Sequence, residues 1–175
     1  MIFRNSCLTI IVTIILASCN WGGYDDVQEW HEATKEIIIE QSELVADSIS
    51  EQRDSSSGSI ERVYFYNGRL FRKELVSPNG VVEYMVRYAE DGNFAYSTEY
   101  CTHGYTTYEG IEYDHKPYGI ATWNNCDNGK ITEQGTRYKF RKTGVWKMYD
   151  GNGNPTREIT YEKNVPLKSY PRIKE

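Results

Sequence analysis

Cysteine, proline, histidine and long apolar runs are all scarce in this 175-residue chain, and each scarcity excludes something. Four cysteines are too few for a disulfide-dense scaffold of the kind small secreted proteins use. The three histidines, His31, His103 and His115, are scattered and stand at no metal-ligand spacing from a cysteine or carboxylate, so surface positions and no metal site are expected. Five prolines leave no polyproline segment. One apolar run, Cys7 to Leu16, is too short to span a bilayer, and no second run of spanning length follows. The net charge of −5 comes without a basic patch, which argues against nucleic acid as a partner.

Catalytic signatures are missing as well. There is no Gly-x-Ser-x-Gly elbow, phosphate loop or dinucleotide fingerprint, so no enzyme activity and no cofactor are expected. Glu99, Glu109 and Glu112 offer the two carboxylates that glycoside hydrolysis needs, but solvated strand positions are the plainer reading. Asp150-Gly-Asn152-Gly-Asn154 imitates the start of a calcium loop. Pro155 then stands where that loop needs Gly, and Tyr161 where it needs a bidentate Glu, so the segment reads as a turn.

What is present begins at the N-terminus. Arg4 precedes the apolar run, and Leu16-Ala17-Ser18-Cys19 closes it. Basic, apolar, small and then Cys is the order of a secretory signal that ends in a lipobox. The segment resembles the signals of bacterial lipoproteins, in which the Cys thiol is acylated and becomes the new first residue. The resemblance implies a signal over residues 1–18, lipidation at Cys19 and a tether over 19–24. Several acyl chains hold a protein where one holds it only marginally. The membrane, reached through Cys19, is therefore one expected partner. The expected location is the bacterial cell envelope after export, with the outer membrane as the expected membrane.

The remainder divides into four parts. In residues 25–52, Val27, Trp30, Thr34, Ile37, Leu44 and Val45 recur near helical spacing, and Asp25, Asp26 and Glu29 suit a first turn, which predicts a helix. Residues 53–59 are small and polar and read as a flexible linker. Residues 60–165 hold strand-like aromatic and β-branched stretches between Gly turns, and 166–175 form a tail. Fifteen Tyr and 14 Gly favour antiparallel sheet. The sharpest hairpin signal is Asn67-Gly68, two residues tolerant of positive φ, as a two-residue hairpin turn requires. It pairs Tyr66 with Arg69, Phe65 with Leu70 and Tyr64 with Phe71.

A repeat of 25 residues runs through the C-terminal half. Cys101/Cys126, Gly104/Gly129, Thr107/Thr132, Gly110/Gly135, Tyr113/Tyr138 and Gly119/Gly144 coincide in that register. Such a period means stacked supersecondary units, none of which buries its apolar face alone. Gly129-Lys130, Glu133-Gln134-Gly135, Tyr138, Gly144-Val-Trp146-Lys-Met-Tyr149, Gly153 and Glu158-Ile-Thr-Tyr161 resemble the variant of the MORN repeat. The match covers residues 109–164, and in its first unit Trp123 is displaced from the family position. The resemblance implies a mainly β fold: an elongated antiparallel meander of MORN-like β-hairpins, preceded here by one N-terminal helix. It also implies an exported lipoprotein and carries no catalytic residue. Some members have antitoxin or immunity-like roles, so neutralisation of a toxin is the alternative to a general interaction surface.

Two features stay open on sequence alone. An exported Cys101–Cys126 pair is expected to oxidise. Yet equivalent residues of successive hairpins lie two strands apart, about 9–10 Å, beyond the reach of about 7 Å that a disulfide tolerates between Cα atoms. Tyr105, Tyr108, Tyr113 and Trp123 are the candidate binding aromatics, for an envelope protein or a glycan, if the sheet face that bears them is open. The competing reading places aromatics in the cross-strand ladders of a thin sheet.

Overall fold

A computed structural model describes residues 24–161 and 165–173. The signal, Cys19 and all of the tether except Tyr24 lie outside the described residues. Helix α1 (Tyr24–Ser42) is followed by ten strands: β1 (Ser48–Arg53), β2 (Ile60–Tyr66), β3 (Arg69–Val76), β4 (Val82–Tyr88), β5 (Phe94–Tyr100), β6 (Thr106–Tyr113), β7 (Lys116–Asn124), β8 (Ile131–Tyr138), β9 (Arg141–Tyr149) and β10 (Pro155–Thr160). A single 3-10 turn, Leu167–Ser169, lies in the tail. The strands form one antiparallel sheet in unbroken chain order. The fold is therefore mainly β, a ten-stranded meander behind one helix. Among the described residues no helix is long and apolar enough to cross a membrane.

The helix is shorter than its expected 25–52 span. It ends at Ser42, and residues 48–53 are strand β1, paired to β2 from Ser48↔Phe65 to Arg53↔Ile60. All six β1 residues are exposed. An edge strand that buries nothing carries no alternating pattern, so the sequence offers no strand signal there. Residues 53–59 are no flexible linker either. Asp54 Oδ1 accepts from the backbone N–H of Ser56 at 2.7 Å and of Ser57 at 3.0 Å, and the Asp54 N–H donates to the Ser59 carbonyl. These bonds build the β1–β2 turn and hold the Asp54 carboxyl down to about 2, the Ser56 hydroxyl first among the causes.

The Asn67-Gly68 hairpin forms, with both residues at positive φ. Tyr66↔Arg69 and Phe65↔Leu70 pair as expected, but Tyr64 faces Arg72 because Phe71 bulges out of the ladder. Phe71 is thereby turned into the core, where it is fully buried against Tyr64.

One face of the sheet receives α1 and the tail. Ile38 meets Ala89, Phe94, Tyr96 and Ile111, while Val27 meets Tyr118 and Tyr170. The buried helix stripe is Val27, His31, Thr34, Ile38 and Ser42, and Ile37 points away. The tail folds back over the same region: Trp30 Nε1 donates to the Pro171 carbonyl at 3.0 Å, and Tyr170 packs on Trp30 at 5.0 Å.

His31 corrects the surface expectation, being only 5% exposed. The reason lies in β7. Opposite Gly110↔Ala121 and Ile111↔Tyr118, Gly119 and Ile120 stand outside the ladder with β6. The Ile120 N–H is freed by this bulge, and His31 Nδ1 accepts it at 3.1 Å. Gly119 has φ +73°, and a Cβ there would lie 2.6 Å from Trp30 Cζ3, so only glycine lets the helix approach. Burial first, and the Lys35 charge second, pull the His31 imidazole down to about 3, leaving it neutral.

Candidate functional site

The opposite face holds a cross-strand row of small residues. Ser97, Gly110, Ala121 and Gly135 stand side by side on β5 to β8, and Trp146 of β9 closes the row. The indole lies across Gly135, where a Cβ would collide with its ring, and the Tyr108 hydroxyl lies 2.6 Å from where a Gly110 Cβ would be. The recurring glycines Gly110 and Gly135 thus make room for rings rather than turns. Trp146 is fully buried although helix α1 packs on the other face. Trp123 packs on it at 5.6 Å and Tyr108 on Trp123 at 5.1 Å. Lys142 Nζ sits 3.9 Å above the Trp146 ring and is paired with Glu133, while the Arg137 guanidinium lies 5.3 Å from the Trp123 ring. Burial, with Glu112 second, pushes the Tyr108 phenol up to about 12.

A recess of about 300 Å³ opens on this face, among Lys73, Tyr84, Tyr88, Asn93, Glu112 and His115. Tyr84 donates to the Ser97 hydroxyl, and Ser97 donates to Glu112 at 2.8 Å. Of the three carboxylates weighed from sequence, Glu99 and Glu112 both face the Tyr84 and Tyr108 phenols on this side of the sheet, and Glu109 does not join them. Glu112 is tied to Ser97 here, whereas Glu109 is bonded to Tyr96 and paired with Lys35 of α1 on the other face.

The four candidate aromatics separate. Tyr108 and Trp123 stack on the open face. Tyr113 belongs to the helix side, packed on Phe94 at 4.8 Å and on Tyr118 at 6.2 Å, and so is core rather than part of that surface. Tyr105 lies at the sheet end, 44% exposed, its ring over Gly129. Its neighbourhood is a second site.

At that end the β5–β6 loop (101–105) packs against the β7–β8 loop (125–130). Cys101 N–H donates to the Tyr105 carbonyl and Gly104 N–H to the Cys101 carbonyl, both at 2.9 Å. In the next loop the closing residue is Asn125, whose N–H donates to Lys130 at 2.7 Å. Cys126 therefore lies one residue inside its loop, whereas Cys101 closes its own. The 25-residue register aligns their letters but not their places. This extra residue brings together two thiols that strict equivalence would hold two strands apart. Cys101 Sγ donates to the Cys126 carbonyl at 3.3 Å, and both thiols are free.

His103, expected to lack a cysteine partner, stands in the same corner with Nδ1 3.9 Å from Cys126 Sγ. The two sulfurs and the imidazole nitrogen all lie within 4.8 Å of one another. Desolvation pushes the Cys101 thiol up, but hydrogen bonds from the Cys126 thiol and from the His103 and Tyr105 backbone outweigh it, leaving Cys101 below an ordinary thiol. Cys126 moves the other way, its bond to Cys101 being the main cause. The triad escapes a sequence search because its third member is 23 residues from the second, with only the sheet joining them. Comparison with known protein families, with curated proteins and with solved structures finds no match to this chain.

Proposed function

We propose that this chain is a non-enzymatic, lipid-anchored protein of the bacterial cell envelope, of the MORN-repeat-variant kind. The sheet face opposite its helix is the interaction surface for an envelope protein or glycan. The observation that carries the reading is the asymmetry of the sheet. Helix and tail cover one face, while the other presents Tyr108 and Trp123 half-buried beside Glu112 and Arg137. Flat rings bordered by carboxylate and guanidinium groups suit a partner with apolar patches and hydrogen-bonding edges. The lipobox residues Leu16 to Cys19 support the anchor.

The test is affinity capture from envelope extracts with the full chain, wild type against Trp123→Ala. A specific partner retained by the wild type and lost by the variant is expected. A wild type that retains nothing specific ends the reading. Metabolic labelling with palmitate checks the anchor separately: label present in the wild type and absent from Cys19→Ala is expected, and an unlabelled wild type removes the lipoprotein assignment.

A further inference from the structure

The Cys101–His103–Cys126 corner stands apart from the aromatic face and is independent of the proposal above. We propose that it is a binding site for one thiophilic transition-metal ion, held by two thiolates and the His103 Nδ1. Zinc takes sulfur at about 2.3 Å and nitrogen at about 2.0–2.1 Å in tetrahedral sites, which sets neighbouring ligand atoms roughly 3.5–3.8 Å apart. Here Cys126 Sγ and His103 Nδ1 are 3.9 Å apart, and no pair of the three exceeds 4.8 Å. No pair of ligand atoms needs to draw in by more than about 1.3 Å.

Three further observations favour a metal over the bond that export alone suggests. Both thiols are free. A third ligand stands beside them, which a disulfide does not need. The loops that carry all three are braced before any ion arrives, by the closing bonds at Cys101 and Asn125, by Asn125 Oδ1 accepting from Asp127 N–H at 2.6 Å, and by Tyr105 against Gly129. Two sulfurs and one imidazole select a soft or borderline ion such as Zn²⁺ or Cu⁺ over Mg²⁺ or Ca²⁺. They leave a fourth position for water or an outside ligand. His103 is exposed, so the corner is reachable from solvent.

The experiment titrates the reduced full chain with Co²⁺, read by thiolate-to-cobalt charge transfer, and then with Zn²⁺ against a chromophoric chelator. One equivalent with a charge-transfer band is expected. Cys101→Ser and Cys126→Ser should each weaken the band, and the Cys101→Ser/Cys126→Ser double variant should abolish it. His103→Ala, a change at an exposed loop residue, should weaken Zn²⁺ binding at least about 10- to 100-fold. Circular dichroism of each variant confirms that the sheet persists. The proposal fails if the reduced wild type shows no band, or if binding survives in the Cys101→Ser/Cys126→Ser double variant. It fails equally if protein isolated from the envelope carries a Cys101–Cys126 disulfide, because bond and ion exclude each other.

Discussion

The two faces of the sheet bury their aromatic residues by different means. On the helix side, Ile38, Val27 and the tail residue Tyr170 supply apolar partners from outside the sheet, and Phe94, Ile111 and Tyr118 are buried beneath them. On the other side, among the described residues, no helix or tail segment packs on the rings. Trp146 is buried by its own sheet: Gly135 below it, Trp123 and Tyr161 beside it, Lys142 above it. A thin sheet therefore gains a second hydrophobic layer wherever a glycine lets a ring lie flat and a long cationic side chain covers it. The helix side depends on long-range contacts, whereas the open side depends on glycine spacing within the sheet.

That contrast can be broken from its largest effect downward. Trp146→Ala should cost about 3–5 kcal/mol, the range for emptying a fully buried aromatic site. Urea denaturation measures it, and a loss below about 1 kcal/mol would mean that the open face has no core of its own. Gly135→Ala should come next at roughly 1–3 kcal/mol, because the new methyl displaces the indole. The same substitution at Gly151, where a Cβ meets nothing, should be close to silent, so the pair separates ring placement from backbone freedom.

The helix side is tested by pH. An unfolded His31 takes its proton near 6.5, whereas the folded one resists until about 3. Between these values the unfolded chain binds more protons. The stability from His31 is complete above pH 6.5 and is lost as pH falls toward 3, with a slope of at most about 1.4 kcal/mol per pH unit. Asp54, Asp114 and Asp150, also held below their ordinary range, add to the acid loss. His31→Asn keeps an acceptor for Ile120 and removes the titration, so its urea midpoint should fall less between pH 7 and pH 5 than that of the wild type. Equal falls would place His31 outside the helix–sheet contact. On the open face the smallest measurable loss belongs to Lys142→Met, which keeps the stem over Trp146 and removes the charge. It should cost about 0.5–1 kcal/mol and raise the accessibility of indole fluorescence to quenchers.

Much of the ladder was legible. The Asn67-Gly68 turn, the hairpin train and the 25-residue register all rest on local rules about positive φ and alternation, and local rules are visible in a linear string. The register also marked Gly110 and Gly135 without telling why they recur. A glycine needed for a neighbouring ring looks the same in sequence as one needed for a turn. Strand β1 was missed because an exposed edge carries no pattern, and the Phe71 bulge because hairpin turns specify only the nearest pairs. Tyr113 and Trp123 looked alike as candidates. Tyr113 has its ring under the helix, and Trp123 has its ring on the other side.

The amino-acid order by itself determined the Gly-marked turns from Asn67-Gly68 onward, that the chain forms a meander, and which residues recur in step, since each of these depends on neighbours a few positions apart. Only the tertiary structure decided that His31 is a buried acceptor for the Ile120 N–H and that Cys101, His103 and Cys126 share one corner. Those contacts join groups 89, 25 and 23 residues apart. They depend on a bulge and on one extra loop residue, which displace backbone by amounts that no spacing rule records.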